Sequence, residues 1–334
     1  MEQEKKSSRS VALVLSSGGA RGLAHIGVIH ELTTRGYRIR SIAGSSMGAL
    51  VGGLYAVGKL EEYERWIRGL DKLDILRMID FTLSDKGFIK GERVFEEMRK
   101  QDMIPDVRIE ELPLPFTAVA VDILRNRERV FTSGSLIQAI RASIAIPLVF
   151  TPVHEEGGVL VDGGVLSPLP LDHVVRNPQD LLLAVDLNAP IPYVPPQLAG
   201  TEPSGKKNPM VAQLKESTNR RVQNLLNKWD ELFGHKNPLH RRLDVKPPEE
   251  TQPERVRHRG EGGDKIGYFD LIMRSVQLMQ HRLTTYALGR TPPDILIQVS
   301  KDSATVFEFY RAAELIEYGR ILCAEALDRF EESR

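Results

Sequence analysis

The sequence predicts an α/β fold of three layers, with helices on both faces of a mainly parallel central sheet. Two observations carry this. Residues 11–15, Val-Ala-Leu-Val-Leu, form a short apolar run that stops at Ser16-Ser17-Gly18-Gly19-Ala20-Arg21-Gly22. This reads as a buried parallel strand entering a glycine-rich turn. Residues 38–43 repeat the pattern, ending at Gly44-Ser45-Ser46-Met47-Gly48 and passing into a small-residue helix that runs through 56. Successive strand–tight turn–helix units are the signature of a parallel α/β sheet.

The remaining elements follow in order. Leu23, Ile26, Ile29 and Leu32 share a helical stripe, which predicts a helix over 23–35 with Gly36 as its stop. Strands are expected at 116–121, 129–132, 159–161, 181–187 and 294–299. A helix over 135–144 halts before Pro147, whose ring disfavours helix at the residue before it. A long helix is expected over 307–330, with Phe309, Ala312, Ala313, Ile316 and Arg320 forming an ordinary core pattern with a polar face. Between 189 and 267 the composition shifts. Pro190, Pro192, Pro195 and Pro196 break regular structure, as does the charged, glycine-containing stretch 247–263. The organisation expected is a core over 9–190, a variable region over 191–266, and C-terminal helices and a strand over 267–332 that pack on the core.

Composition removes several classes. The 334 residues carry 45 Lys or Arg against 45 Asp or Glu, so bulk positive charge does not point to nucleic acid. With 41% hydrophobic and 27% charged residues, the chain has the make-up of an ordinary globular protein. Cys323 is the single cysteine, which leaves no intrachain disulfide or Cys-rich zinc site and fits a reducing compartment. No run approaches the ~20 apolar residues of a membrane span, and 11–15 is too short for a signal-peptide core. The expectation is a cytoplasmic protein, with peripheral contact at a membrane left open.

Gly44-Ser45-Ser46-Met47-Gly48 matches G-x-S-x-G. Chance alone gives that pattern in about one chain of this length in ten, so its context matters. A strand before and a helix after are what a nucleophile elbow needs, and both are expected here. Gly44 and Gly48 would relieve clashes around a strained serine, and the helix behind it favours negative charge near Ser46. The alternative is a tight turn with an N-capping serine. In the first turn, Gly18 and Gly19 can present backbone N–H groups to an anion, either as a phosphate cradle or as an oxyanion hole. No G-K-[ST] follows, which disfavours nucleotide. Arg21 reads equally as support for that loop or as a contact to substrate phosphate.

A serine nucleophile needs a base. None of the eight histidines stands in a recognisable catalytic setting; His25 and His30, for instance, fall in the helix after the glycine loop. Asp162 ends the apolar run 159–161 and precedes Gly163-Gly164, placing a carboxylate at a strand end, where open α/β sheets put ligand sites. Asp122 and Asp186 also end expected strands, so an ordinary Asp-Gly turn remains an alternative for Asp162.

With Ser17-Gly18-Gly19-Ala20-Arg21-Gly22, Gly44-Ser45-Ser46-Met47-Gly48 and Asp162-Gly163-Gly164 in this order, the chain resembles the patatin-like phospholipases. It is most similar to the bacterial members related to neuropathy target esterase. The likeness continues through Arg141-Ala-Ser-Ile-Ala-Ile-Pro147 to about residue 188, and more weakly over 292–327. The resemblance implies a three-layer patatin-like hydrolase and a Ser–Asp dyad. Ser46 would be the nucleophile, Asp162 its base, and the backbone of Gly18, Gly19, Ala20 and Arg21 the oxyanion hole; no metal or other cofactor is needed. Where the family often shows three glycines, this chain has Ser17, so Gly18 and Gly19 are the donors expected. The implied activity is hydrolysis of carboxylic esters of phospholipids or lysophospholipids through an acyl-serine. A serine acyltransferase and a non-catalytic lipid-binding regulatory protein are the alternatives.

Within the variable region, Val222, Leu225, Leu226, Trp229, Leu232 and Phe233 make one apolar helical stripe, part of a helix expected at about 210–234. Residues 210–246 hold eight Lys or Arg against four acids, a net +4. Such a basic amphipathic helix suits an anionic membrane, a lid, a dimer contact or plain packing on its own domain. The expected partners are therefore a phospholipid or lysophospholipid substrate and anionic membrane, with no nucleic acid, in a monomer or homodimer.

Overall fold

In the computed structural model, which describes residues 10–72, 74–75, 92–101, 103–147, 149–155, 157–197 and 268–333, β1 (Ser10–Leu15) lies in the middle of the sheet. β2 (Arg38–Ser45) and β7 (Leu181–Ala189) flank it in parallel register. β3 (Phe116–Asp122) pairs with β2, and β8 (Ile295–Ser300) pairs with β7, both also parallel. β1 and β7 are buried on both faces, which explains their unbroken apolar runs. The other edge is antiparallel: β4 (Arg127–Phe131) and β6 (Gly158–Asp162) pair with β3, and β5 (Val153–Glu155) pairs with β6.

Side chains on β1 alternate between two apolar layers, as the pleat demands. Val11, Leu13 and Leu15 join the larger core, which includes α1 (Ala24–Thr34), α2 (Met47–Ala56), α5 (Leu136–Ser143) and α7 (Ala312–Glu332). Ala12 and Val14 face the other way, into a smaller cluster with Leu169, Leu171, Leu182 and Ala184. Ala287 and Leu288 from the end of α6 (Tyr268–Arg290) cover that cluster. The architecture is α/β/α with a mostly parallel sheet, as the sequence predicts.

Two amphipathic helices, α3 (Leu60–Arg68) and α4 (Glu92–Lys100), complete the larger layer; neither they nor β5 were expected. The glycine-rich turn is itself a 3-10 helix, Gly19–Leu23, leading into α1. A second 3-10 turn, Phe309–Arg311, precedes α7, so the long C-terminal helix starts later than the sequence suggests.

The register around β3 positions the site. β2 ends with Ser45 opposite Val119, and β6 ends with Asp162 opposite Ala120, the next residue of β3. β6 runs antiparallel to β3, so the ends of β2 and β6 meet head-on at adjacent positions.

The chain divides into two units, Met1–Ala199 with Met279–Arg334, and Gly200–Leu278. Of the second only the first half of α6 is described. The helix expected at about 210–234 and most of the variable region lie outside the described residues. Among the described residues, no helix is long and apolar enough to cross a membrane.

Candidate active site

Ser46 stands at the turn between β2 and α2 with φ 54° and ψ −121°. A non-glycine residue in the positive-φ region costs of order 1–3 kcal/mol and persists only where its surroundings hold it. Here the Ser46 N–H donates to Ser143 Oγ at 2.9 Å, and that hydroxyl donates to the Val119 carbonyl at 2.6 Å. Close packing supplies the rest. A Cβ at Gly44 would come 2.4 Å from the Gly48 carbonyl, and one at Gly48 would come 2.1 Å from the Leu15 carbonyl. Both expected elbow glycines are therefore required by backbone approach. Ser46 is 2% exposed at the N-terminus of α2.

Asp162 is brought to the same place from 116 residues away. Its N–H donates to Ala145 O at 2.9 Å, and its Oδ1 accepts the Gly164 N–H at 2.7 Å. The Asp-Gly-Gly turn sits against the end of β2: a Cβ at Gly163 would lie 2.1 Å from Val119 O and 2.6 Å from Ser45 Oγ. Gln280 of α6 donates to the Gly164 carbonyl at 3.1 Å and holds the turn from the far side. Burial pushes the Asp162 carboxyl up to about 7, while the Ser46 hydroxyl and the Gly164 N–H favour its charged form. The hydroxyl is near enough to act on that charge, yet Oδ2 has no partner of good hydrogen-bond geometry.

The glycine loop is pinned at both ends. Ser17 N–H donates to Pro168 O at 2.8 Å and Ala20 N–H to Val306 O at 3.0 Å. The expectation that Ala20 offers a free backbone donor is therefore corrected, because the C-terminal segment already occupies it. Among the described residues, the N–H groups of Gly18 and Gly19 make no bond outside their own turn. Arg21 is 2% exposed, and its guanidinium is spent on Leu187 O, Ala304 O, Lys301 O and Asn188 Oδ1. Burial pulls its pKa down to about 10, which leaves it charged near neutral pH. Of the two readings the sequence allowed for Arg21, the structure has it supporting the loop.

Ser46 and Gly19 line a cavity of about 90 Å³ whose other walls are apolar or aromatic, among them Tyr63 and Trp66 of α3, Met98 of α4, Ile144, and Phe307. No histidine is among its lining residues. Larger clefts of about 360 and 540 Å³ lie elsewhere and contain neither Ser46 nor Asp162. His25 is buried with Nε2 2.9 Å from the Ser16 carbonyl, and burial pulls its pKa down to about 4, so it is a neutral packing residue. The other strand-ending aspartates serve their own turns. Asp122 Oδ1 accepts from Leu124 and Arg125 N–H, and Asp186 Oδ1 accepts from Asn188 N–H. Sequence reasoning missed Gln280 and Val306, which carry no local signal. It passed over Ser143, which lies inside the connecting segment 141–147.

Comparison with known proteins identifies the family. The patatin-like phospholipase family model matches residues 13–175. A Mycobacterium tuberculosis protein described as an uncharacterized NTE family protein is 37% identical over 97% of this chain and 93% of its own length. The chain belongs to the patatin-like phospholipase family and is by class a lipid hydrolase. Within that family it sides with the bacterial proteins related to neuropathy target esterase. A lysophospholipase nte1 of Emericella nidulans is 32% identical over 54% of this chain, which covers 12% of that much longer protein. The crystal structure of VipD from Legionella pneumophila aligns over 97% of this chain and 67% of its own, with TM-score 0.43 and 15% identity.

Proposed function

We propose that the chain is a serine esterase that cleaves the carboxylic esters of phospholipids or lysophospholipids through an acyl-Ser46 intermediate. The observation that supports this reading is the head-on approach of β2 and β6, with buried Asp162 at the end of one and Ser46, which lines an apolar cavity, just past the end of the other. Asp162 accepts the Ser46 proton as Oγ attacks the ester carbonyl carbon. The oxyanion forms toward the Gly18 and Gly19 N–H groups. As the C–O bond breaks, the proton passes from Asp162 to the leaving alkoxide; water, deprotonated by Asp162, then releases the fatty acid and free Ser46. A carboxylate with an ordinary pKa is a weak base, and one raised by burial to about 7 is better matched to the task. The apolar walls suit an acyl chain, and the relatives named lysophospholipases favour lysophospholipid as the first substrate to try.

The test is hydrolysis of a chromogenic short-chain ester, then of phospholipid and lysophospholipid, by wild type, Ser46→Ala and Asp162→Asn. Circular dichroism establishes that each variant is folded. Turnover should fall about a thousandfold or more in both variants. Activity that survives Ser46→Ala would overturn the reading.

A further inference from the structure

The β3–β4 hairpin has a feature that neither the fold nor the catalytic proposal uses. β3 continues three residues, about 10 Å, past the position opposite Ser45, so the tip at 123–126 stands beyond the sheet edge that carries Ser46. Two consecutive aliphatic side chains occupy this tip, Ile123 at 45% and Leu124 at 62% exposure. Turn positions ordinarily take Gly, Asn, Asp or Pro, each for a backbone reason, and Ile-Leu has none.

The tip is also rigid. Asp122, itself buried, accepts from the N–H groups of Leu124 at 3.1 Å and Arg125 at 3.3 Å, and from Arg125 Nη1 at 2.7 Å. Ile123 N–H donates to Val159 O at 3.0 Å, and Asn126 closes the turn with φ 51°. The aliphatic pair is thus held out in water by a built scaffold.

Three arginines and three acids surround it, and Arg125 is held on Asp122, which leaves Arg127 as the cation at the tip outside the ion pairs found among the described residues. Arg125 and Arg127 are exposed. The nearby acids are engaged: Asp122 by Arg125, Glu128 by His173 and Glu155 by Arg129. Leu166, 39% exposed, follows the Asp162-Gly-Gly turn. An aliphatic tip beside an exposed arginine fits a lipid surface, where the chains enter the acyl boundary and the guanidinium group meets phosphate.

We propose that the β3–β4 hairpin tip docks the protein on an anionic lipid surface, with Ile123 and Leu124 inserted and Arg127 at the headgroups. This rests on the proposed lipid hydrolysis for its purpose, but the docking itself is measurable without turnover.

The experiment is co-sedimentation of the full chain with phosphatidylcholine vesicles, with and without phosphatidylglycerol. The set is wild type, Ser46→Ala, the double variant Ile123→Ser/Leu124→Ser, Arg127→Glu and Leu124→Trp. Wild type and Ser46→Ala should bind the anionic vesicles alike. The double variant should bind about tenfold or more weakly. Arg127→Glu should lose about fivefold or more on anionic vesicles only. Leu124→Trp should show blue-shifted emission when vesicles are added, beyond the change seen in wild type. Hydrolysis of the soluble ester should be unchanged by the tip substitutions, which separates docking from folding. The proposal is overturned if wild type does not bind, if the double variant binds as wild type does, or if Leu124→Trp shows no shift. In the first case the exposed tip faces a protein or a second copy of the chain. Absent Ser46-dependent hydrolysis alongside tip-dependent binding would sink the catalytic reading and leave docking standing.

Discussion

Asp162 is pulled in two directions. Burial favours its neutral form, while the Ser46 hydroxyl and the Gly164 N–H favour the charged one, and burial prevails at about 7. If the carboxylate is the base, kcat/KM for a neutral ester should rise with pH through about 7 and level off above it; a flat profile from pH 5 to 9 would remove Asp162 from that role. The same shift bears on stability. The folded protein holds this proton more tightly than the unfolded chain, so folding loses stability as pH rises from about 4 to about 7, by at most about 4 kcal/mol. Asp162→Asn, inactive, should therefore melt at a higher temperature than wild type at pH 8, and the difference should vanish near pH 4. Arg21 gives a second expectation. Arg21→Met leaves three backbone carbonyls and Asn188 without their donor, which should cost about 3 kcal/mol or more in urea unfolding. Lysine, lacking the planar fork, should restore little of it.

At the scale of elements, close backbone approach fixes which residues are tolerated. α1 crosses α7 with Gly319 against the Ala24 carbonyl, 2.0 Å from where a Cβ would stand. Alanine improves helix propensity by about 1 kcal/mol over glycine, but here its methyl meets backbone that cannot move without separating the helices. Gly319→Ala should lower the melting temperature despite the gain in propensity. α6 reaches the site differently, through a bond from Gln280 to the Gly164 carbonyl. Gln280→Leu should lower kcat more than KM and move the acidic limb of the pH profile, with little change in melting temperature. A loss of stability with an unaltered profile would make Gln280 a packing residue only.

Over the whole molecule, the C-terminal segment completes what the first 197 residues begin. β8 covers the outer edge of β7, and the backbone at 301–306 accepts the Arg21 and Ala20 donors. α7 buries Leu315, Ile316 and Leu327 in the same core as α1. A fragment ending at 197 would expose the β7 edge and unpin the glycine loop. It should show no cooperative thermal transition by circular dichroism and no ester hydrolysis, although residues 13–175 hold the family match.

Much of this was written locally in the chain. The strands at 11–15 and 38–43, the two glycine turns after them, and Asp162 before Gly163-Gly164 are contiguous patterns, and each stands in the structure within a few residues of its expected place. Apolar runs and turn residues act on their own neighbours, which is why they are legible. The short edge strand β5 and the start of α7 were not, because packing rather than propensity decides them. The amphipathic helices α3 and α4, by contrast, carry a local apolar stripe that sequence reasoning passed over. What only the tertiary structure decided is how distant segments meet. The register of β3 set Asp162 against the end of β2, and Val306 took the Ala20 donor. Four acceptors, 166 to 283 residues away, turned Arg21 into a strut. These are long-range pairings selected by burial and hydrogen-bond satisfaction, and no contiguous stretch of sequence contains both partners.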